Sequence, residues 1–254
     1  MSATTPRETR SLQITLLGNQ RTAIDNARVE SRLSSRAFLV LAALAVRGGD
    51  AINREELAFT LWPDLSENEA RATLRRQLYV IDQALGAGER SVFARKARIV
   101  SWAEHLEVFV DASEFNRLCG REDGLEEAAA LYGGDFAPYL DHEWVLSVRD
   151  RLRRQMCGVL DRLIAQSRIR NDVHRRQHYI ERLLSVDPWR EDAVRELMIL
   201  RYLCGDRAGA LRYYQAFAAN LRAEFGVEPM PETAKCFQSI FNGSQLCQTA
   251  EAAG

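Results

Sequence analysis

The residues best equipped for chemistry in this chain are arginines. Between Arg71 and Arg98 lie Arg71, Arg75, Arg76, Arg90, Arg95, Lys96 and Arg98 against only Asp82 and Glu89, an excess of five positive charges. A phosphate backbone attracts such a cluster. Through the same stretch Leu74, Leu78, Ile81 and Leu85 recur every three or four residues and share one stripe of a helix. With that stripe inward, a turn of about 100° per residue points Ala72, Arg76, Tyr79 and Gln83 outward, flanked by Thr73, Arg75 and Val80. Such a face reaches phosphates and base edges, arginine being the commonest reader of guanine. The same pattern also describes the solvated side of an ordinary amphipathic helix. The candidate DNA-contacting residues are Arg54, Arg71, Thr73, Arg75, Arg76, Gln77 and Tyr79, with Arg95, Lys96 and Arg98 near phosphates or the minor groove.

Other groupings carry less. His174 and His178 have the i, i+4 spacing that lets two imidazoles share a metal, but no third ligand of matching pattern stands nearby. Glu126-Glu127 and Asp141 to Glu143 could pair as acid and base, yet no nucleophile or phosphate-cradling loop accompanies them. Gly133-Gly134-Asp135 reads as a turn before a helix. The five cysteines are odd in number, widely spaced and without a C-x-x-C pair, so they read as reduced thiols. Trp144, Trp189, Tyr202, Tyr213, Tyr214 and Phe217 fit core packing between helices or, alternatively, a ligand pocket. No catalytic, cofactor-binding or metal-binding residue is assigned, and the chain is not expected to be an enzyme.

These residues need elements to position them. With 254 residues, 46% of them hydrophobic, the chain can bury two cores. The overall charge of −1 divides into +3 over residues 1–104 and −4 over the remainder. The longest apolar run, Phe38 to Val46, is far short of the roughly 20 residues that span a bilayer, so a soluble, cytoplasmic protein is expected, with no membrane partner. Residues 1–10 read as a disordered tail and 244–254 as a flexible one. Alternation at Leu12, Ile14 and Leu16, and an extended stretch from Arg28 to Ser31, predict a small sheet. Three helices follow: one capped by Ser34 or Ser35, one capped by Asn53 with Glu56 at the capping-box position, and one capped by Ser66 and running to about Leu85. Ser91 to Ala94 and Arg98 to Trp102 then flank the Arg95-Lys96 tip as a two-stranded wing. After residue 105 the periodicity is helical almost throughout, with a long helix over 143–169. Asn171-Asp172 recurs as Gly205-Asp206 and Tyr179 as Tyr213, a repeat of 34 residues, which is the tetratricopeptide spacing. The expected fold is therefore mostly α: an N-terminal winged helix-turn-helix with a small β-sheet and wing, followed by an all-α tetratricopeptide-like domain.

Several strings stand in order along the chain: Glu56-Leu57-Ala58, Leu61-Trp62-Pro63-Asp64, Ala70-Arg71 and Leu74-Arg75 in the first half. In the second half they are Leu131-Tyr132-Gly133-Gly134-Asp135-Phe136, Trp144, Asp187-Pro188-Trp189, Arg195-Glu196-Leu197-Met198, Gly205-Asp206-Arg207-Ala208 and Phe225-Gly226-Val227-Glu228-Pro229. In these strings the chain resembles, across residues 11 to about 243, the Streptomyces antibiotic regulatory protein type of activator. The resemblance implies an OmpR-type winged helix over 11–104 that reads direct repeats in promoter DNA. It implies a bacterial transcriptional activator domain over 105–243 that dimerises and helps to engage RNA polymerase. By the same likeness the turn Trp62, Pro63, Asp64, Leu65, Ser66 is the polymerase-contacting loop. Two departures stand out. Val80 and Asp82 occupy positions where basic residues are common in the family, and the wing, Phe93 to Val100, lacks its glycine-rich turn. The function expected is a sequence-specific transcriptional activator without cofactor. The alternatives are a ligand-sensing regulator, and an adaptor whose winged domain has lost DNA binding.

Overall fold

A computed structural model describes residues 9–29, 33–86, 90–94 and 96–243. Of the two expected tails, residues 1–8 of the first and all of the second, 244–254, lie outside the described residues, as does Arg95 at the wing tip; Arg10, expected in the first tail, instead opens a strand and bonds Asp25. The chain divides into two compact units, residues 1–156 and 157–254.

The first unit is built on a four-stranded sheet. Strands β1 (Arg10–Thr15), β2 (Arg21–Ile24) and β3 (Ala27–Arg28) form an antiparallel meander, and β6 (Leu106–Val110) joins β1 in parallel to give the order β3-β2-β1-β6. Alternation buries Leu12, Ile14 and Ile24 on one face. The two-residue turn Asp25-Asn26 has φ of 49° and 66°, the left-handed pair that suits a tight hairpin. Asp25 is held there by Arg10 Nε at 2.7 Å and the Ser11 N–H at 3.0 Å. Strand β6 corrects the sequence reading, which began continuous helix after residue 105. Leu-Glu-Val-Phe-Val does alternate, but its partner is almost a hundred residues earlier and no local signal announces that pairing.

Helix α1 (Ser35–Ala45) starts at Ser34, whose hydroxyl accepts the Ala37 N–H at 3.2 Å, and is buried from Ala37 to Ala45. Then come β4 (Ile52–Asn53), α2 (Arg54–Leu61), α3 (Glu67–Gly86) and β5 (Ile99–Val100), with β4 paired to β5. After β6 the chain enters α4 (Asp111–Cys119), α5 (Leu125–Leu131) and the long α6 (Glu143–Ile169), which runs on into the second unit.

Two contacts bind the sheet to these later helices. Asp111 is 3% exposed, and its carboxylate accepts the N–H groups of Leu16, Leu17 and Ala112 at 2.7–2.9 Å. Burial pushes this carboxyl above the usual carboxylate range, against the pull of the backbone donors. The second contact is a crossing of main chains: Gly18 N–H donates to the Asp135 carbonyl at 2.9 Å and Ala137 N–H to the Leu16 carbonyl at 2.7 Å. Gly18 has φ of +81°, and a Cβ there would stand 2.5 Å from the Gly133 carbonyl group. Arg149 and Arg153 hold the loop from the helical side, through the Phe136 and Ala137 carbonyls and through Asp135.

The second unit continues α6 and adds α7 (Val173–Val186), α8 (Glu191–Leu203), α9 (Arg207–Phe225) and α10 (Pro231–Asn242). The 34-residue repeat is visible in its caps. Asn171 and Gly205 both have positive φ, 54° and 85°. Asp172 and Asp206, each next in sequence, cap α7 and α9 by accepting the N–H three residues on, from Arg175 and Gly209. The last helix is seated by Glu191, which accepts the Met230 N–H at 2.9 Å and bonds the Thr233 hydroxyl at 2.5 Å.

Gly18→Ala combines a positive φ, worth about 1–2 kcal/mol against any other L residue, with a clash against immobile backbone. A loss of at least about 2 kcal/mol is expected in chemical denaturation. Asp111→Ala leaves three buried N–H groups without acceptors and is expected to cost about 3 kcal/mol or more; a stability equal to the parent chain would show the crossing alone to be sufficient.

Candidate nucleic-acid interface

The candidate site is carried by α2, α3 and the hairpin after α3. Asn53 caps α2 by accepting the Glu55 N–H at 2.8 Å. The capping box read from Glu56 does not form, because Glu56 reaches Arg47 at 3.0 Å instead. At α3 one half of a box forms: Glu69 accepts the Ser66 N–H at 3.1 Å, and it also takes the Ser66 hydroxyl at 2.5 Å, so that hydroxyl donates to the carboxylate. Those two bonds hold the Glu69 carboxyl below its ordinary range.

Leu74, Leu78, Ile81 and Leu85 are all buried, as the periodicity requires. Gln77 lies with them and not on the outer face. It is 7% exposed, with its amide 3.5 Å from the Ser34 hydroxyl. The correction follows from spacing, since Gln77 is three residues after Leu74 and four before Ile81. On the outer face Ala72, Arg75, Arg76, Tyr79 and Gln83 are exposed, Tyr79 by 64%. Among the described residues Arg75 and Arg76 have no ion-pair partner.

Arg71 differs. Its guanidinium is engaged by Glu55 at 2.6 Å and by Glu67, so much of its charge is already met within the protein. Thr73 is half-buried. Arg54 is half-buried as well; its N–H donates to the Arg98 carbonyl at 2.9 Å, while its Nε is buried without a partner among the described residues. Arg98 and Lys96 are exposed. The DNA-contacting candidates thus separate into exposed cations in no ion pair among the described residues (Arg75, Arg76, Lys96, Arg98), an arginine engaged by glutamates (Arg71), and residues turned partly or wholly inward (Arg54, Thr73, Gln77).

The hairpin takes its form from aromatic packing. Ala94 N–H donates to Ser101 and Ala103 N–H to Val92, both at 2.9 Å. The rings of Phe93 and Trp102 stack across it with centroids 5.5 Å apart. Strand β5 ties its base to β4 and so to the start of α2. Its other tie is Asp82, on α3, whose Oδ1 accepts the Val92 N–H at 2.8 Å. Asp82 looked in sequence like a lost phosphate contact; in the structure it anchors the wing to the helix. The turn Trp62 to Ser66 exposes Pro63, Asp64, Leu65 and Ser66. Just before it, the Leu61 carbonyl accepts His142 Nε2 at 2.8 Å, while His142 Nδ1 takes the Trp144 N–H at 3.2 Å. Neither His142 nor Asp82 was assigned a role from sequence, because each acts on backbone distant in the chain.

Other groupings stay apart from this site. His178 packs edge-on against Tyr179, and among the described residues no cluster of three His, Cys, Asp or Glu could hold a metal. Cys119, Cys157, Cys204 and Cys236 are in no disulfide, and burial pushes the thiols of Cys157 and Cys236 up. No helix among the described residues is long and apolar enough to cross a membrane.

The sequence pattern of the bacterial transcriptional activator domain matches residues 101–241, more than half of the chain. The chain belongs to that family. The resemblance read from the motifs of its second half is borne out over that domain. No protein of curated function matches the chain in sequence. Among solved structures it is similar to Mycobacterium tuberculosis EmbR, determined in complex with a low-affinity phosphopeptide. The TM-score is 0.62 at 18% identity over 93% of this chain, a likeness of fold, and the chain spans 66% of that protein's length. The expected mostly helical fold with a small N-terminal sheet is likewise found.

Because Asp82 holds the Val92 N–H, Asp82→Ala should speed amide hydrogen exchange at Val92 and Phe93 about tenfold, the equivalent of about 1.4 kcal/mol lost locally. Asp82→Asn keeps an acceptor and should restore most of the protection.

Proposed function

We propose that the chain is a transcriptional activator of the Streptomyces antibiotic regulatory protein kind, which binds promoter direct repeats sequence-specifically, as a homodimer in the cytoplasm, with α3 as reading helix and the hairpin beyond it as wing. The Trp62–Ser66 turn then contacts RNA polymerase. The observation that carries this reading is the outer face of α3, where Arg75, Arg76, Tyr79 and Gln83 are exposed and neither arginine is in an ion pair. Unpaired arginines reach base edges and phosphates without first breaking an internal bond. Lys96 and Arg98 supply charge on the wing. Arg71, committed to Glu55 and Glu67, serves to join α2 to α3, and reading falls to Arg75 and Arg76. A second reading, a regulator gated by a small ligand, draws on the groove of about 440 Å³ bounded by Trp189, Tyr213 and Phe217 in the second unit.

Arg76→Ala should weaken operator binding about tenfold to a hundredfold in a fluorescence-anisotropy titration while leaving the circular dichroism unchanged. Wild-type affinity in that variant would remove α3 as the reading helix. Log affinity should fall linearly with log salt, the slope losing roughly 0.9 for each phosphate-contacting arginine or lysine neutralised. Leu65→Ala should leave DNA affinity intact and depress transcription in vitro; normal transcription would deny the turn its part. Thermal-shift screening against metabolites tests the ligand-gated reading, which fails if none stabilises the protein.

A further inference from the structure

Within the first unit the Trp62 to Leu65 turn is one wall of a cleft of about 810 Å³, and the opposite wall is the start of α6 at Glu143, Trp144 and Ser147. That volume falls in the range of pockets that enclose an organic group. His142 and Leu61 also line the cleft, and the bond from His142 Nε2 to the Leu61 carbonyl joins its two walls. Two indoles line it, Trp62 and Trp144, each half-buried, and Trp144 is held edge-on against Phe136. The ionisable lining residues are Asp64, Glu69 and Glu143 against Arg36, beside the imidazole of His142. Glu69 is occupied by Ser66, whereas Asp64 and Glu143 are exposed and, among the described residues, in no ion pair. Elsewhere on the molecule carboxylates are commonly paired with arginine, as Glu55, Glu67, Glu114, Asp135, Asp161 and Glu196 are.

Indole faces beside unpaired carboxylates select a cation on an aliphatic stem: the ring attracts the charge and packs against the methylenes, and the carboxylate accepts its N–H groups. The same carboxylates repel phosphate, so the cleft is opposite in sign to the outer face of α3. We propose that this cleft receives an arginine or lysine side chain of the polymerase polypeptide that the Trp62–Ser66 turn engages. The proposal rests on the reading of that turn as a polymerase contact and extends it. The contact is composite, with Glu143 and Trp144, which follow the winged helix in sequence, supplying half of the receptor. A basic segment of protein fits better than a free amine, because the cleft opens beside an exposed turn that already offers Pro63 and Leu65 to a partner surface.

The test uses the full chain on a promoter fragment with purified polymerase. Glu143→Gln, an exposed and nearly isosteric change, should leave DNA affinity unaltered and raise the polymerase concentration needed for half-maximal transcription about fivefold. Glu143→Lys should raise it more than tenfold, and Glu143→Asp should stay close to wild type. A photoreactive residue at position 147 should crosslink to polymerase only when DNA, activator and polymerase are together. If Leu65→Ala loses activation while Glu143→Gln and Glu143→Lys keep it, the cleft is not the receptor and the polymerase contact of the turn stands alone. If all three activate normally, the turn reading and this proposal fall together. A crosslink at position 147 to a second copy of the chain, or a changed sedimentation coefficient in Glu143→Lys, overturns the proposal in favour of self-association.

Discussion

A buried carboxylate that accepts several backbone N–H groups is unusual in a helical protein, and here the first unit is organised around one. Asp111 stands where strand β6 becomes helix α4, and it takes up the amides of Leu16 and Leu17 just beyond β1. Those amides leave the sheet and would otherwise be buried without acceptors. By accepting them, Asp111 fixes where the first strand ends and where the following helix begins. Two residues later, Gly18 lets the chain cross the Gly133-Gly134 backbone at a distance that excludes any side chain. The N-terminal sheet is therefore stitched to residues 111–137 by the Asp111 carboxylate and by main-chain bonds at Gly18 and Ala137.

That stitching bears on function through the Leu61 carbonyl. Helix α2 ends there, and the imidazole that meets the carbonyl belongs to residue 142. The turn between α2 and α3 is consequently framed by two parts of the chain far apart in sequence. A winged helix alone would present that turn unsupported; here its apolar and acidic residues face the indole and carboxylate of α6. The proposed reading head and the proposed partner surface then lie on the same α2–α3 pair but differ in sign, with cations on the outer face of α3 and carboxylates around the turn.

Charge is distributed by pairing as much as by composition. The region from Arg71 to Arg98 is strongly basic, yet Arg71 is engaged by two glutamates and Asp82 is spent on a wing amide. What remains free is a shorter and more specific set. In the helical unit pairing serves another end: Asp172 and Asp206 occupy the same place in successive repeats and cap equivalent helices, so a structural unit reappears every 34 residues with its cap intact.

Much of this was legible in the sequence. The stripe Leu74, Leu78, Ile81, Leu85, the caps at Ser34 and Asn53, the repeat of Asp172 at Asp206, and the span of α6 all follow from local periodicity and from hydrogen bonds that reach two or three residues along the chain. The outer face of α3 followed as well, apart from Gln77, which the same periodicity places inside. What sequence could not supply were the contacts across long separations: β6 beside β1, Asp111 on Leu16 and Leu17, His142 on Leu61, and Arg71 on Glu55. Each joins groups whose types are ordinary, an aspartate, a histidine, a short alternating strand, so nothing in their identity announces a partner. Local structure is set by neighbours in the chain, and the helices were therefore readable one at a time. Which cations stay free, and which carboxylates are left facing a cleft, is decided only when folding brings distant residues within hydrogen-bonding distance.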